Sequence, residues 1–188
     1  NLDLWLRAKK RIPKGNMFYS KHPDRFLPYG WPTYFKSAQG IKIKDYNSNE
    51  YLDFSMMGIG TNVLGYANSK VDSAVKKIID KGTMSTLNCF EEVELSETLT
   101  HIHKWADMCH YTRTGGEANS VAVRIARAAT NKTNIAVCGY HGWHDWYIAS
   151  NLNNKNNLNI HLLKGITTKG VQKNLKNTCF TFEYNNYE

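Results

Sequence analysis

The spacing of apolar residues predicts two amphipathic helices in the middle of the chain. The first is expected to begin at Ser69, its N-cap, and to end at Gly82, where the helical pattern stops. Its apolar face is predicted to lie inward and consists of Val71, Ala74, Val75, Ile78 and Ile79. The second helix is predicted from about Glu91 to Trp105. Its inward positions are predicted to be Leu95, Leu99 and Ile102.

Strand patterns lie on either side of these helices. Alternation of apolar and polar residues over 34–54 predicts an antiparallel hairpin that turns at 47–49. Further along the chain the pattern changes from strand to helix to strand, over 108–112, 117–130 and 134–138. Such a unit is typical of a crossover connection in a mostly parallel sheet. A further buried strand is predicted over 178–182.

Two segments show little regular period. Residues 1–32 hold a short amphipathic helix and then a loop rich in proline and aromatic residues. Loops of that length in a compact protein usually cover something. Residues 151–159 are rich in asparagine and predict a polar surface loop with no assignable chemistry.

Composition narrows the class of protein. The 188 residues suggest one domain with a sizeable core, and the net charge is +8. No nucleic-acid-binding motif accompanies the basic residues, so we interpret them as a solvated surface and predict no nucleic-acid partner. No apolar run reaches about 18 residues, the length that a membrane span requires, so no membrane span is predicted.

The cysteines are far apart and form no C-x-x-C pair: they are Cys89, Cys109, Cys138 and Cys179. This spacing fits reduced thiols in the cytoplasm better than a disulfide framework or a zinc site, so we expect no metal. Cys109 and Cys138 fall inside predicted strands and are interpreted as small core hydrophobes.

A candidate anion site lies where the strand over 108–112 leads into a helix. The linking turn reads Thr114-Gly115-Gly116-Glu117. Its glycines let the backbone approach an anion, the first N–H groups of a helix lack intrahelical acceptors, and the helix dipole adds partial positive charge. Thr114 can also donate its hydroxyl. Arg113 could add charge, although an arginine at a strand end more often pairs with a carboxylate.

A second turn, downstream, strengthens this interpretation. The strand over 134–138 leads into a turn with an aromatic ring and two histidines, Gly139-Tyr140-His141-Gly142-Trp143-His144. Because Tyr140 follows a strand end, we expect its ring to face a site rather than only to pack. His141 either orients this turn or contacts the ligand. Trp143 and His144 are interpreted as structural residues.

Taken together, the two turns resemble those of the fold-type I, class III aminotransferases, which use pyridoxal phosphate, and among them the glutamate-1-semialdehyde aminomutase branch. In that branch a Ser-Gly-Thr-Glu-Ala turn holds the cofactor phosphate, and a Tyr-His-Gly turn supplies a ring stacked on the pyridine. Three further segments occur in the family's order. Residues 7–13 resemble the amino-terminal helix and its exit, 45–53 resemble the hairpin "D-x-D-G-x-x-Y-x-D", and 63–66 resemble the "LGH" helix entry.

This resemblance implies an α/β fold of the fold-type I PLP-dependent transferases. Residues 1–66 would form an N-terminal segment with a small antiparallel hairpin, and 67–188 the first part of the large, mostly parallel sheet domain. The implied cofactor is pyridoxal 5′-phosphate, bound by Thr114, Gly115, Gly116, Glu117, Tyr140 and His141. The phosphate would lie at 114–116 and the ring on Tyr140. Glu117 would repel an anion unless it points elsewhere, so we expect it to hydrogen-bond the turn or the side chains around the cofactor.

The resemblance assigns no catalytic residue to this chain. The family's Schiff-base lysine lies in the carboxyl-terminal half of the large domain, so we expect it beyond Glu188 and interpret the chain as an amino-terminal fragment of an enzyme. The cation that grips the substrate carboxylate falls near Lys21 or Arg25. Residues 56–62 lack the "SWGP" run of the aminomutase, which leaves the substrate open.

The implied function is that of an aminotransferase or aminomutase acting on a small amino or carbonyl substrate. Alternatives are another class III enzyme, such as an amino-sugar-forming transaminase, a decarboxylase or a racemase, and a non-catalytic module that binds a phosphorylated ligand. The family also implies a homodimer. The composition of 1–32 and 56–62 suggests the interface, with Met17, Phe18, Tyr19, Phe26, Trp31, Met56 and Met57 as its apolar groups.

Overall fold

The computed structural model describes residues 2–54, 57–161 and 164–187, and for Tyr19, Arg25 and Phe26 it describes the backbone. The chain forms two compact units, Asn1–Asn88 and Cys89–Glu188. The contacts therefore divide after Asn88 and not at the predicted boundary between 66 and 67. As the start of a cofactor-binding domain, that predicted boundary stays a prediction.

The first unit contains helices and a small sheet. Its helices and strands are α1 (Leu2–Arg11), α2 (Pro23–Phe26), β1 (Phe35–Gln39), β2 (Lys42–Asp45), β3 (Glu50–Leu52), α3 (Met57–Gly60) and α4 (Ser69–Ile79). The sheet is antiparallel with strand order β1-β2-β3, and Ile43 lies opposite both Ala38 and Tyr51. The predicted antiparallel hairpin is therefore confirmed, and the structure adds a third strand, reached through a tight turn at Gly40.

Asp45 is buried at the turn that joins β2 and β3. Its carboxylate accepts hydrogen bonds from the backbone N–H groups of Asn47 and Asn49 and from the Tyr51 hydroxyl. Burial alone would raise the pKa of Asp45, but the hydrogen bonds from Asn49, Asn47 and Tyr51 outweigh it and hold that pKa below its ordinary value. The first aspartate of the hairpin motif thus organises the turn.

Asp53, the last aspartate of that motif, connects β3 to the segment that follows. It accepts from the backbone N–H of Met57 and, at 2.7 Å, from the hydroxyl of Tyr66. Burial and this carboxylate raise the pKa of Tyr66 to about 12, so the phenol keeps its proton and remains a donor.

Helix α4 differs from the prediction in its N-cap residue and in the burial of its apolar face. Asn68, and not Ser69, is the N-cap, because the Asn68 side chain accepts from the backbone N–H groups of Lys70 and Val71. The predicted inward face is exposed along its whole length, at Val71, Ala74, Val75, Ile78 and Ile79. A helix buries an apolar face only where another element covers it, and no described element of the first unit does so for α4.

The second unit combines a long helix with a two-stranded parallel sheet. Its elements are α5 (Glu91–Ile102), α6 (Gly115–Thr130), β4 (Ile135–Val137), α7 (Asp145–Ile148), α8 (Ser150–Asn153), the 3-10 turns Asn157–His161 and Lys173–Leu175, and β5 (Cys179–Thr181). Strands β4 and β5 pair in parallel, with Ile135 opposite Cys179. The predicted strands at 134–138 and 178–182 are thus confirmed in shorter form.

Two predicted elements of this unit need correction. Residues 108–112 are not a strand, because a strand requires a hydrogen-bonded partner and none of the described residues pairs with them. Helix α5 ends at Ile102 rather than near Trp105, with the His103 N–H bonded to Leu99 O. Its predicted inward residues Leu95 and Ile102 are exposed, and only Leu99 is half-buried.

The core of the second unit lies around β4 and β5. Val137, Tyr147, Leu158 and Cys179 are buried there in one cluster. Cys179 is thus the buried cysteine of this core, whereas Cys109 and Cys138, the two predicted core cysteines, are half-buried. Burial raises the pKa of the Cys179 thiol to about 11.

The asparagine-rich segment 151–159 is not the predicted surface loop. Asn151 is buried, accepts from the backbone N–H of Leu158 and donates to the carbonyl of Ile166. Asn153 donates to the carbonyl of Cys179 and accepts from the backbone N–H of Asn177. An amide side chain offers both donors and an acceptor, so it can satisfy buried backbone groups that short helices leave unpaired.

Across 2–54, 57–161 and 164–187, the helices are all too short or too polar to cross a membrane. The same residues bring together no cluster of three histidine, cysteine or acidic side chains that could hold a metal ion.

We predict that Asn68→Ala lowers the free energy of unfolding by about 1 kcal/mol, because two N–H groups at the start of α4 lose their acceptor. Urea denaturation measures the change. Ser69→Ala is the matched control and should have a smaller effect. A larger loss from Ser69→Ala would show that the cap has been assigned to the wrong residue.

Candidate functional site

Thr114 begins helix α6 and leaves two backbone donors free. Its backbone is extended, and its hydroxyl oxygen accepts from the Glu117 N–H at 3.2 Å. The Thr114 carbonyl accepts from the Ala118 N–H. Within the described part of the chain, the N–H groups of Gly115 and Gly116 have no acceptor. These donors stand at the positive end of a 16-residue helix, an arrangement suited to an anion.

The carboxylate of Glu117 is turned to Arg113. The Arg113 backbone N–H donates to one carboxylate oxygen at 2.9 Å, and its guanidinium donates to the other at 3.3 Å. The N–H bond from Arg113 and the charge of its guanidinium hold the pKa of Glu117 below its ordinary value, against the opposing effect of burial. Glu117 therefore hydrogen-bonds the backbone at the turn, as predicted, and Arg113 pairs with a carboxylate.

The second turn follows β4 and carries Tyr140 and His141 between two glycines. Gly139 and Gly142 both have positive φ, +84° and +99°, which only glycine adopts without strain. The ring of Tyr140 is 60% exposed and meets Tyr147 edge-on, with ring centroids 6.2 Å apart. Tyr140 is therefore not a core residue, and its ring is accessible to a ligand.

His141 is held by the protein at both its side chain and its backbone. Its Nε2 lies 2.8 Å from the carbonyl of Cys138, so that nitrogen carries the proton and donates. Its own carbonyl accepts from the side-chain amide of Asn119 on α6. Of the two roles left open by the sequence, these bonds favour orientation of the turn.

The two turns touch through glycine backbone. A Cβ on Gly142 would lie 3.1 Å from the Cα of Gly116. A Cβ on Gly116 would lie 3.0 Å from the imidazole of His144, whose Nε2 is buried and has no hydrogen-bond partner among the described groups. Larger residues at either glycine would force the turns apart. The structure thus brings together the two motifs that the sequence analysis had paired.

Polar groups that sequence analysis missed also connect the turns. The Ser120 hydroxyl donates to the carbonyl of Gly116 and accepts from the indole N–H of Trp146. The Trp146 ring meets Tyr147 edge-on at 5.7 Å. A signal was present for Ser120, which lies four residues after Gly116 and therefore on the same helix face. No local pattern marks Trp146 as its partner.

The predicted substrate cations belong to the first unit. Lys21 is exposed, with its ammonium 5.4 Å from the ring centroid of Phe18. The side chain of Arg25 lies outside what the structure describes. Their role stays a prediction.

Comparison with known proteins identifies the family. The sequence pattern of the class-III aminotransferases matches residues 29–178. This is well over half of the chain, which therefore belongs to the class-III aminotransferase family.

Individual relatives agree with that assignment. The 3-aminobutyryl-CoA aminotransferase of Cloacimonas acidaminovorans is 32% identical over 75% of this chain and 34% of its own length. The glutamate-1-semialdehyde 2,1-aminomutase of Methanococcoides burtonii is 36% identical over 69% of this chain and 29% of its own. This chain thus spans about a third of the length of the curated relatives that it matches.

A solved structure confirms the predicted fold. The FumI protein of Sphingopyxis sp. MTA144, in its PLP internal aldimine form, superposes with a TM-score of 0.80 and 28% identity. The match covers 98% of this chain and 40% of that protein. The predicted α/β fold of the fold-type I transferases is therefore correct.

We predict that Gly142→Ala lowers the free energy of unfolding by about 2–4 kcal/mol, because a Cβ there adds a collision with Gly116 to backbone strain. Gly139→Ala is the matched control, since a Cβ on Gly139 meets nothing within 4 Å and should cost only the strain, about 1–2 kcal/mol. Chemical denaturation of both variants measures the difference. Equal losses would contradict a close contact between the two turns.

Proposed function

We propose that the protein to which this chain belongs is a pyridoxal 5′-phosphate-dependent aminotransferase or aminomutase. It would move an amino group on a small amino or carbonyl substrate. The observation that carries the proposal is the close backbone contact of Gly142, on the turn of Tyr140 and His141, with Gly116, beside the free donors at the start of α6. Membership of the class-III aminotransferase family supports the same conclusion.

The residues present fit the phosphate of that cofactor. A phosphate monoester needs several hydrogen-bond donors, and the helix start offers the N–H groups of Gly115 and Gly116. A Cβ on Gly115 would meet nothing within 4 Å, so the backbone there is open to close approach. Thr114 would add its hydroxyl proton, because its oxygen already accepts from Glu117 and its proton remains available. The carboxylate of Glu117 is bonded to Arg113 and so does not occupy the place of the phosphate.

The residues present also fit the cofactor ring. The exposed ring of Tyr140 lies on the turn that contacts residues 114–117, which we call the phosphate turn. Stacking on it would fix the tilt of a pyridine ring, while the phosphate contacts fix one end. When bound, pyridoxal phosphate supplies an electron sink for bond cleavage next to the amino carbon. The part played by this chain is to bind the cofactor and orient it, and none of its lysines is assigned as the Schiff-base residue.

The substrate is proposed only as a class. One relative is named for a CoA thioester and another for glutamate 1-semialdehyde, which differ in size and charge. We retain an activity similar to that of glutamate-1-semialdehyde aminomutase as the first candidate and another class III reaction, such as amino-sugar formation, as its alternative. A non-catalytic module for a phosphorylated ligand is the second candidate function, because the free donors of Gly115 and Gly116 need only an anion.

We predict that the complete protein binds pyridoxal 5′-phosphate and that Tyr140→Ala weakens binding by about 1–3 kcal/mol, the range known for nucleic-acid bases stacked on aromatic side chains. Isothermal titration calorimetry measures the affinity. Tyr187→Ala, an exposed tyrosine elsewhere in the same unit, is the matched control and should bind normally.

Inorganic phosphate serves as a second probe in the same titration. Its affinity should be unaffected by Tyr140→Ala, because the phosphate contacts lie on the other turn. The proposal fails if the complete protein binds neither probe. Cofactor binding without amino transfer from glutamate 1-semialdehyde, 3-aminobutyryl-CoA or simple amino donors would favour the non-catalytic candidate.

We further propose a cytoplasmic homodimer. Free cysteines support a reducing compartment, and the described residues bring no two of them into a disulfide. Exposed apolar groups support an interface: Met17, Phe18 and Trp31 are 79%, 49% and 49% exposed. Met57 is half-buried, Met56 lies outside the described residues, and the same holds for the side chains of the two other predicted interface aromatics, Tyr19 and Phe26.

We predict that Trp31→Ala weakens dimer formation by the complete protein at least about tenfold, because an exposed indole at an interface is often a dominant contact. Sedimentation equilibrium measures the dissociation constant. Lys77→Ala, on the exposed surface of α4, is the control and should leave it unchanged. An identical dissociation constant for both variants would count against Trp31 as an interface residue.

A further inference from the structure

A buried chain of polar contacts lies behind the turn that carries Tyr140. Tyr147 has no exposed surface, and its hydroxyl donates to the carbonyl of Gly139 at 3.1 Å. The same hydroxyl oxygen lies 3.0 Å from Nδ1 of His161. On its other side, Nε2 of His161 lies 3.3 Å from the carbonyl of Phe182. The contacts run from the turn after β4 to the residue after β5.

This series of contacts ends in a carbonyl group on each side, and a carbonyl can only accept. Three contacts in a row therefore need three protons. Tyr147 brings one, and His161 brings one when neutral and two when charged. With a neutral imidazole bonded to Phe182, the single proton of Tyr147 is shared between Gly139 and His161. His161 therefore contacts the same Tyr147 hydroxyl that bonds the Gly139 carbonyl and helps to fix the position of that hydroxyl.

Tyr147 also contacts two other side chains of the turn 139–144, which we call the ring turn. Its ring meets Tyr140 at 88° and His141 at 76°, with centroids 6.2 and 6.0 Å apart. Because Gly139 directly precedes Tyr140, a bond to the Gly139 carbonyl restrains the peptide from which the Tyr140 ring projects. Burial, followed by the neighbouring Cys179 and Tyr140, raises the pKa of Tyr147 to about 12, so its hydroxyl stays a donor.

We propose that Tyr147, held by His161, is the positioning residue for Tyr140 and so for the ring, but not the phosphate, of a bound pyridoxal cofactor. This inference rests on the proposed function and deepens it. The phosphate turn has its own supports in Ser120 and Glu117, neither of which bonds to Tyr147. Loss of the Tyr147 hydroxyl should therefore affect recognition of the ring selectively.

The test compares two ligands in the complete protein. Pyridoxamine 5′-phosphate carries an amine in place of the aldehyde, so it binds without a covalent bond to a lysine, and inorganic phosphate reports on the phosphate turn alone. Tyr147→Phe keeps the edge-on packing and removes only the hydroxyl. We expect it to raise the dissociation constant for pyridoxamine 5′-phosphate about tenfold and that for inorganic phosphate less than about twofold. Tyr184→Phe, the same change at an exposed position, should alter neither.

A spectroscopic readout tests the bond between Tyr147 and His161 directly. In protein labelled with ¹⁵N-histidine, Tyr147→Phe should shift the Nδ1 resonance of His161, because that nitrogen loses its hydroxyl partner. Tyr184→Phe should not. A second variant, His161→Gln, leaves the Tyr147 hydroxyl in place but changes the group that holds it. It should weaken pyridoxamine 5′-phosphate binding without affecting inorganic phosphate.

The outcomes separate this inference from the proposed function. If the unaltered protein binds neither ligand, both are overturned. If it binds both and Tyr147→Phe changes neither affinity, or lowers the two equally, the positioning role is overturned while the proposed function stands. If Tyr147→Phe and His161→Gln both unfold the protein, the pair serves global stability, and the positioning role is likewise overturned.

Discussion

Close backbone contact between Gly116 and Gly142 is the constraint on which the candidate site depends. A single added carbon on Gly142 would lie 3.1 Å from the Gly116 Cα, so the helix start and the turn after β4 approach each other as closely as backbone permits. A bond from the Asn119 amide to the His141 carbonyl then links α6 to the second turn, and a bond from the Trp146 indole to Ser120 links α6 to the helix after that turn. An anion site and an aromatic face become parts of one structure because glycine removes the side chains that would separate them.

Polar side chains carry much of the architecture around that contact. Asn151 and Asn153 satisfy backbone groups of short helices and of β5, and Asp45 does the same for the hairpin turn of the first unit. Regular structure in these places is only three to five residues long, so many backbone groups lack partners within it. Amide and carboxylate groups supply them, which is why polar side chains such as Asn151 and Asp45 lie buried.

Local sequence patterns were sufficient for some of the fold. The helix after Thr114 and the strand before Gly139 were predicted because apolar spacing and glycine positions describe them within a few neighbouring residues. The hairpin over 34–54 was predicted for the same reason. Two predictions that needed a distant partner were wrong: no described strand pairs with 108–112, and no described element of its unit covers the apolar face of α4.

The sequence by itself determined the family, the helix start with free donors at Gly115 and Gly116, and the turn that presents Tyr140. Those features depend on residues adjacent in the chain. Only the tertiary structure decided that Asn151 is buried with its amide bonded to distant backbone groups, and that Tyr147 and His161 lie behind the turn that carries Tyr140. Burial and hydrogen-bond partnership arise where distant segments meet, and apolar periodicity contains no information about which distant groups those are.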